Sequence, residues 1–539
     1  MTGSVPQGKA ANSQSAPAQP EDVRIELPPE LAKAKVSLAQ ARGADSIKQA
    51  VEKVLQFDPA DADALRRAGE LYAAQRQPVE AAKAYARALR IRPDDDILLR
   101  RYIGLAARIG AHVDALSAAR YWVTIVQERR GAAMRILAGL YGLLGKDVVS
   151  RRWAYEAARV QPVNTLPASG RERLRILILG TISSGGYTYR PEIEGLTTSE
   201  GHNNLSEMLD SDSITRIYFS LDALEEHPEL IREAPEADIV YNSITDANRC
   251  EKMLNTAQWV CEQLGKPVFN PPLEVLATTR EQNVERLEDA KGVLVPRSIP
   301  LGRLESEVSD SIREAIEEHG LSTPVIVRAA GYQNGRFMHR IDDPENTPVT
   351  LPEPMELYLL QYHDYSCTDE RAPGETLYPK YRAFMVGGRL YPVHLRVGHE
   401  DDWNVHLPES QRTFEKYPWL YEDERAFIEN PGQHLGGEYW KNLENALQRL
   451  ELDYFGVDFA ICTEPGHEGE VVIFEANASM RSFMADTAEN TAEHAAARAV
   501  IEAAHARFCE RAGSQPWDFQ LPRGKARSAE TGEPATAEQ

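Results

Sequence analysis

The chain has 539 residues, of which 42% are hydrophobic, and a formal net charge of −22 at pH 7. Single hydrophobic cores stop growing at about 300 residues, so this length predicts several domains. The acidic balance argues against binding to nucleic acid or to an anionic membrane, and no run reaches the ~18 apolar residues of a membrane helix.

The composition of the two chain ends and the spacing of the cysteines bear on the cellular compartment of the protein. Residues 1–27 and 520–539 are poor in apolar side chains and are predicted to be disordered tails. The first tail lacks the apolar stretch of a secretory signal. The five cysteines are widely spaced with no C-x-x-C pair, which indicates free thiols and suggests neither a disulfide framework nor a zinc site. We therefore expect a cytoplasmic protein.

Residues 28–165 carry a helical pattern that repeats about every 34 residues. The clearest copy combines small residues, aromatic residues and a closing proline: Leu65, Ala68, Gly69, Tyr72, Ala81, Tyr85, Ala88 and Pro93. A second copy has Leu137, Ala138, Tyr141, Ala154, Ala157 and Pro162, and weaker units fall at about 28–60 and 96–129. The pattern resembles tetratricopeptide repeats, which implies stacked helix pairs with a concave groove. Capture of a protein partner in that groove and a plain spacer or dimerisation element remain alternatives.

An α/β domain is predicted at residues 172–275. The apolar run 174–179 ends in a Gly-rich turn, as a buried parallel strand does at the start of an α/β layer. Further strands are predicted at 214–220, 238–241 and 267–270, with a helix at 249–264. The turn lacks the Gly-Lys-Ser/Thr ending of a phosphate loop, so we expect a tight turn or a backbone cradle for an anion.

A strand at 324–328, a turn containing Gly331 and Gly335, and a returning strand at 336–340 predict a flap. Its backbone N–H groups could close over phosphates. The next strand, 357–362, could offer backbone hydrogen bonds to an adenine edge, and Asp364 beyond it suits a ribose hydroxyl.

A cationic hairpin follows at residues 378–391, with Gly387 and Gly388 in its turn. Lys380 and Arg382 are two residues apart on its first strand and therefore share a face. The second strand continues to Arg396, which adds a third cation. Such a group suits the neutralisation of a polyphosphate or an acyl phosphate.

Three oxygen-bearing side chains end the pattern. Asp458 projects from an alternating strand, and Glu475 and Asn477 share one face of a later strand. Two carboxylates and an amide oxygen form a hard-oxygen set suited to Mg²⁺ (or Mn²⁺) bridging nucleotide phosphates.

Together these motifs resemble an ATP-grasp domain, at about residues 270–505, of the branch that includes glutathione synthetase and the ribosomal-protein glutamate ligases. The predicted fold class is therefore multidomain: an all-α helical-repeat solenoid, an α/β domain preceding the ATP-grasp domain, and an α+β ATP-grasp domain at 276–510. The resemblance implies an ATP-dependent ligase. In such enzymes a carboxylate attacks the γ-phosphate to give an acyl phosphate and ADP, and an amine then displaces phosphate to form an amide.

The resemblance also implies residue roles. Arg280 and Arg328 occupy positions that bind the α- and β-phosphates, and both depart from the usual lysine. Gln361 and Tyr362 match the adenine hinge, and Arg382 matches a phosphate-contacting arginine that would steady the transferred group together with Arg396. The implied metal ligands are Asp458, Glu475 and Asn477.

Two other functions are compatible with these residues: a nucleotide-binding scaffold without turnover, and phosphotransfer without ligation. A small-molecule or peptide substrate is expected, with no nucleic-acid or membrane partner, and homo-oligomerisation is left open. His394, His399 and His406 have spacings of five and seven, which fit no common transition-metal pattern. Residues 397–406 are instead expected to form an active-site loop that contacts the substrate.

Overall fold

The computed structural model describes residues 27–181, 187–190, 196–199, 203, 205, 209–305, 307–329, 337–352, 354–399, 402–405, 407–482 and 491–519. The predicted flap glycines Gly331 and Gly335 lie outside these ranges, as do residues 1–26 and 520–539 of the predicted tails. The chain divides into two compact units, Met1–Ala118 and Ala119–Gln539. The division falls inside one helix, α6 (His112–Ile125).

The first unit consists of paired helices in its described part. Their bounds are α1 Pro29–Gln40, α2 Ala44–Phe57, α3 Ala62–Ala74, α4 Pro78–Ile91 and α5 Asp96–Arg108. The 34-residue period has a capping basis: Asp61 and Asp95 each accept a backbone hydrogen bond at the start of a helix, from Ala64 and Leu98 respectively. The same local signal thus starts α3 and α5 one period apart.

A glycine–tyrosine contact sets the distance between α3 and α4. A Cβ atom added at Gly69 would lie 2.3 Å from a ring carbon of Tyr85, which is itself buried. Leu65, Ala81 and Ala88 complete the surrounding core with very little exposure. Gly69 is therefore required because the tyrosine ring occupies the space of a side chain.

The second unit contains α7 (Arg130–Leu143) and α8 (Asp147–Val160), which pack through Ala138 and Ala154. A five-stranded sheet follows in the order β1-β5-β2-β6-β7, parallel except for the edge strand β1. Its strands are β1 Val163–Leu166, β2 Leu174–Gly180, β5 Ile214–Ser220, β6 Ile239–Asn242 and β7 Val268–Phe269, and β3 Tyr187–Arg190 pairs with β4 Leu196–Ser199 as a separate hairpin. Helix α9 (Glu251–Leu264) connects β6 to β7, as the sequence pattern predicted.

Two further sheets build the rest of the unit, one antiparallel and one antiparallel except for the parallel pair β17–β8. The four-stranded sheet has the order β11-β10-β12-β9, with β9 Ser298–Leu304, β10 Val325–Ala329, β11 Met338–Ile341 and β12 Met355–Gln361. The six-stranded sheet has the order β13-β14-β16-β17-β8, and β15 pairs with β14. Its strands are β8 Val293–Leu294, β13 Cys367–Asp369, β14 Ala372–Val386, β15 Arg389–His399, β16 Tyr454–Ile461 and β17 Val471–Asn477.

Helices cover these sheets and complete the cores. They are α10 Pro272–Leu276, α11 Arg280–Leu287, α12 Ser309–His319, α13 Leu407–Lys416, α14 Leu420–Glu429, α15 Pro431–Leu435, α16 Gly437–Leu447 and α17 Ala492–Arg511, with 3-10 turns at Pro228–Glu233 and Gln448–Leu450. One apolar cluster runs from Leu179 of the parallel sheet to Phe459 of the six-stranded sheet, and α12 closes a smaller one on the four-stranded sheet. The late strands are thus held by a continuous core.

The predicted fold class is confirmed: a TPR-like run of helices precedes an α/β sheet and two mainly antiparallel sheets. The domain limits at 28–165, 172–275 and 276–510 stay predictions. Within the described residues, every helix is too short or too polar to span a bilayer.

We expect Gly69→Ala to lower the unfolding midpoint of the first unit. The new methyl group must displace the buried Tyr85 ring, and such overpacking costs about 1–3 kcal/mol, more than the ~1 kcal/mol that alanine gains in helix propensity. Urea unfolding followed by circular dichroism measures the change. In a Tyr85→Ala background the same substitution should become neutral or stabilising, and an unchanged penalty there would contradict the steric explanation.

Candidate active site

Three charged side chains form a row across the six-stranded sheet. Arg382 on β14 lies directly opposite Asp458 on β16, and Asp458 lies directly opposite Glu475 on β17. Residues directly opposite in antiparallel strands project from the same face, so the three side chains are neighbours. The convergence that the sequence pattern predicted for Asp458 and Glu475 is therefore present in the sheet register.

Arg382 and Asp458 form a two-pronged ion pair. Arg382 Nε donates to Asp458 Oδ1 at 2.6 Å and Nη2 to Oδ2 at 2.9 Å, while Lys380 Nζ lies 3.2 Å from Oδ2. Burial alone would raise the pKa of Asp458, but Arg382 and Lys380 hold it well below its usual range. Burial also opposes the charge of Arg382, whose pKa is nevertheless raised because Asp458 accepts from it. Both groups therefore stay charged although largely buried.

Glu475 is held from two sides. Asn477 Nδ2 donates to Glu475 Oε1 at 2.7 Å, and Arg280 Nη2 lies 3.7 Å from the same oxygen. Arg280, the first residue of α11, also donates from Nη1 to the backbone oxygen of Phe474 at 3.0 Å. The Asn477 side-chain oxygen in turn accepts from the backbone N–H of Ser479 at 2.9 Å. The start of α11 is thus fixed to the end of β17.

Arg328 brings the four-stranded sheet into the same group. It lies on β10, and burial together with the nearby Arg280 lowers its pKa to about 10, with Glu475 opposing the shift. At neutral pH Arg328 still carries its charge. Arg280 on α11 and Arg328 on β10 therefore act on the same carboxylate from two different elements.

Arg396 extends the row at its other end. It lies opposite Lys380 on the neighbouring strand β15, and its Nη2 is 2.7 Å from Glu493 Oε1 while its Nη1 is 3.6 Å from Glu424 Oε1. Burial and the negative charge of Glu493 raise the pKa of Glu424 to about 7, which Arg396 only partly offsets. Arg396 is thus held by two carboxylates, one of which titrates near neutral pH.

His394 is a site residue that the sequence analysis did not select. It lies opposite Arg382 in the β14–β15 register, and its Nδ1 is shielded from solvent without a hydrogen-bond partner among the described residues. Burial, then Arg396 and Arg382, keep its pKa well below the ordinary value, so it is neutral. Its position two residues before Arg396, on the same strand face, is the signal that could have identified it.

The three histidines weighed as a metal site do not form one cluster among the described residues. His399 Nε2 pairs with Glu375 Oε2 at 2.6 Å, away from His394, and His406 lies outside the described ranges. In the described part of the chain, the cluster of His, Cys, Asp and Glu side chains whose geometry could hold a metal is a different one, formed by His363, Cys462 and Glu464.

The predicted adenine hinge lies at the end of β12. The backbone N–H of Gln361 already donates to Arg297 O at 2.9 Å, so this N–H is not available to donate to a ligand. Tyr362 is buried, and the Arg340 guanidinium lies 4.4 Å from its ring centre. The Asp364 carboxylate accepts hydrogen bonds from the backbone N–H and the hydroxyl of Ser366, and it thereby stabilises a turn.

An aromatic cluster joins the predicted hinge to the charged row, since it contains Tyr362 of the hinge and Phe474, the neighbour of Glu475. Its buried members are Tyr362, Tyr365, Tyr378, Val405 and Ala460, with Ile326, Trp403 and Phe474 packed against them. Lys380 Nζ lies 5.7 Å from the centre of the Phe474 ring, so the cations begin where the aromatic surface ends. This arrangement suits a ligand with one flat apolar part and one polyanionic part.

Comparisons with known proteins give only distant similarities. No protein-family model and no curated protein matches the chain. Solved structures that resemble parts of it include the ATP-grasp ligase PsnB complexed with precursor peptide PsnA2 and AMPPNP, at 12% identity and a TM-score of 0.29, over 61% of this chain and 98% of PsnB. A second is MamA, at 17% identity and a TM-score of 0.21, over 22% of this chain and 69% of MamA. A third is a tetratricopeptide repeat protein from Parabacteroides merdae, at 17% identity and a TM-score of 0.22, over 24% of this chain and 52% of that protein. Similarity at this level assigns no activity.

We expect Asp458→Asn and Arg382→Met each to destabilise the second unit by about 3–5 kcal/mol, since each leaves a largely buried charge without its partner. The double variant should lose less than the sum of the two. Chemical unfolding of the four proteins measures the coupling free energy, with Lys416→Met, an exposed cation outside the row, as control. If the two losses in the free energy of unfolding were additive, the ion pair between Arg382 and Asp458 would contribute no coupling free energy.

The same pair predicts a dependence on acid. The pKa of Asp458 is lower in the folded protein than the ~3.9 of an unfolded chain, so its stabilisation is present above pH ~4 and is lost as the pH falls further. Asp458→Asn should therefore flatten the acid limb of a plot of unfolding midpoint against pH.

Glu424 predicts the opposite dependence. Its pKa of about 7 exceeds the ordinary value of 4.5, so its contribution is complete below pH ~4.5 and is lost as the pH rises towards 7. Glu424→Gln keeps the acceptor for the Leu395 N–H and should raise the free energy of unfolding at pH 8, by at most about 3 kcal/mol, but not at pH 4.5. Thermal unfolding at both pH values checks this, and equal effects at both would contradict it.

Proposed function

We propose that this protein is an ATP-dependent ligase that activates a carboxylate as an acyl phosphate and couples it to an amine. The observation that supports the proposal best is the row of Arg382, Asp458 and Glu475 on adjacent strands, with Arg280 and Arg328 beside Glu475. Phosphoryl transfer to a carboxylate needs no protein nucleophile, so catalysis reduces to positioning and charge neutralisation. The row has the groups for both tasks.

Charge balance favours a polyanionic ligand. In the described part of the chain, Lys380, Arg382, Arg280 and Arg328 lie around the two carboxylates of Asp458 and Glu475, so positive groups outnumber negative ones there. A nucleotide triphosphate would supply the missing negative charge, and the aromatic cluster beside Lys380 would lie next to its base. Arg280 and Arg328 would bind the α- and β-phosphates, and Gln361 and Tyr362 would border the adenine.

Asp458, Glu475 and Asn477 would hold Mg²⁺ or Mn²⁺. The fit rests on their donor chemistry, since two carboxylates opposite each other in register and one amide offer only oxygen to a hard cation. When bound, the metal would neutralise phosphate charge. Because the Asp458 oxygens now accept from Arg382, nucleotide binding would have to release Arg382 towards the phosphates.

The chain's cations would then guide the reaction. A carboxylate oxygen of the substrate attacks the γ-phosphorus, the bond to the β-phosphate oxygen breaks, and ADP leaves. Arg382 and Arg396 would neutralise the transferred group during this step. The amine nitrogen then attacks the acyl carbon, phosphate leaves, and the amine proton passes to solvent. Neutral His394, between the two arginines, would add no further charge to the site.

A peptide is the substrate class that we favour. In this proposal, residues 276–510 form the ligase domain, residues 172–275 form the domain that precedes it, and residues 28–165 provide a surface for a partner. Paired helices with small residues at their contacts are the construction of peptide-binding repeats.

A nucleotide-binding protein without turnover is the second candidate, and one observation favours it. Asp458 is bound by Arg382 and Lys380 at once, which makes it a costly group to release. In that case ATP would bind while phosphate release stayed at background.

The deciding experiment measures phosphate release from ATP and Mg²⁺ with panels of carboxylates, amines and short peptides, followed by product mass. An amide product supports the ligase, and a phosphate ester supports phosphotransfer without ligation.

We expect Glu475→Gln and Asn477→Ala each to lower kcat by about 100-fold or more, as the loss of one electrostatic group at a reacting centre does.

Glu356→Gln is the matched control, because Glu356 is an exposed carboxylate on β12. Its kcat and KM should equal those of the unmodified protein. Unchanged turnover in Glu475→Gln and Asn477→Ala would exclude the proposed metal site and with it the ligase assignment.

A further inference from the structure

A second cluster of ligating side chains lies beyond the charged row. His363 lies two residues after the end of β12, Cys462 follows the last residue of β16, and Glu464 is two residues further on. His363 Nδ1 lies 2.9 Å from Glu464 Oε2, and one nitrogen, one sulfur and one oxygen of the three residues all lie within 4.8 Å of one another. His363 and Cys462 are buried, while Glu464 is partly exposed.

The backbone fixes these side chains before any ligand arrives. Cys462 N donates to Glu470 O at 2.8 Å, and Gly469 N donates back to Cys462 O at 2.9 Å, which closes a tight hairpin between β16 and β17. Thr463 N donates to Asp364 O at 2.8 Å and joins that hairpin to the segment carrying His363. The three side chains therefore start from a rigid frame, as a metal site requires.

The surroundings of the thiol are anionic. Burial, together with the charges of Glu464, Glu470 and Asp364, raises the pKa of the Cys462 thiol above its ordinary value. Such a thiol is a poor nucleophile, because reactive cysteines need positive neighbours. A cation among these groups would be attracted by the carboxylates and would stabilise the thiolate.

We propose that His363, Cys462 and Glu464 form a zinc site. An imidazole, a thiolate and a carboxylate are ordinary zinc ligands, and the thiolate disfavours Mg²⁺ and Ca²⁺, so this site is chemically distinct from the oxygen set of the charged row. Tetrahedral zinc with bonds of about 2.0–2.3 Å separates its ligand atoms by roughly 3.3–3.6 Å, a spacing these side chains reach with small rotations.

The fourth position falls on the open side of the cluster, where Glu464 is exposed. Water can take it, or His467, whose ring centre is 6.1 Å from that of His363. His467 Nδ1 is already 2.6 Å from Glu470 Oε2, an arrangement that orients a histidine for binding through its other nitrogen.

The bound ion would fasten the end of β12 to the hairpin after β16. His363 stands between Tyr362 and Asp364, so zinc at His363 would fix the backbone of the proposed adenine hinge. The role is structural, and it holds whether or not the charged row turns over ATP.

The test uses the full chain, stripped with a chelator and titrated with Co²⁺ and then Zn²⁺. We expect one equivalent of Co²⁺ to give the near-ultraviolet thiolate-to-cobalt absorption and the intense visible bands of a tetrahedral ion, both removed by Zn²⁺. Cys462→Ser should abolish the thiolate absorption, and Glu464→Gln should weaken binding by at least about 10- to 100-fold. Cys261→Ser, at a buried thiol of α9, is the matched control and should bind as the unmodified protein does.

Two results would overturn the site: Co²⁺ bound without the thiolate absorption, or an absorption unchanged in Cys462→Ser. Absence of one-equivalent binding would show that His363 and Glu464 form only an ion pair. If Cys462→Ser fails to fold, Glu464→Gln decides, because its partly exposed side chain changes little in volume. The readout contains no nucleotide, so its outcome is separate from that of the turnover assay.

Discussion

The ion pair between Arg382 and Asp458 is the interaction on which the candidate active site depends. Two charges on neighbouring strands meet in two hydrogen bonds, and a lysine two residues away adds a third contact to the same carboxylate. A buried charge without a partner costs several kcal/mol, so the pair ties the positions of β14 and β16 to each other. On the next strand, Glu475 lies directly opposite Asp458, and Asn477 lies two residues further along the same face, opposite Gly456.

This pairing also gives the site its chemical character. Each carboxylate of the row already contacts cations, so a ligand that binds there must replace those contacts. The proposed metal-bound polyphosphate would do so, since its oxygens would satisfy the arginines while its metal would satisfy the carboxylates. Such a ligand would carry both kinds of charge at once.

The four-stranded and six-stranded sheets contribute differently to the site. The six-stranded sheet is held by the main core and carries most of the charged row, whereas the four-stranded sheet has its own smaller core and supplies Arg328 and the predicted hinge. The aromatic cluster around Tyr362 contains residues of both sheets, with Ile326 from β10, Ala460 from β16 and Phe474 from β17. The proposed nucleotide, spanning the cluster and the row, would therefore contact both sheets.

The sequence by itself determined the helical repeat, the order of strands and the face of each strand. These depend on local rules: a 34-residue period with caps at Asp61 and Asp95, apolar runs that end in glycine, and the two-residue alternation that puts Lys380 with Arg382 and Glu475 with Asn477. Only the tertiary structure decided the partners. Asp458 pairs with Glu475 next to an irregularity in the β16–β17 register, and His394 lies opposite Arg382 next to a second irregularity, in the β14–β15 register. His363 lies close to Cys462 although 99 residues separate them in the chain. Strand register and long-range contact follow from how whole sheets pack, and no local pattern of residues encodes them.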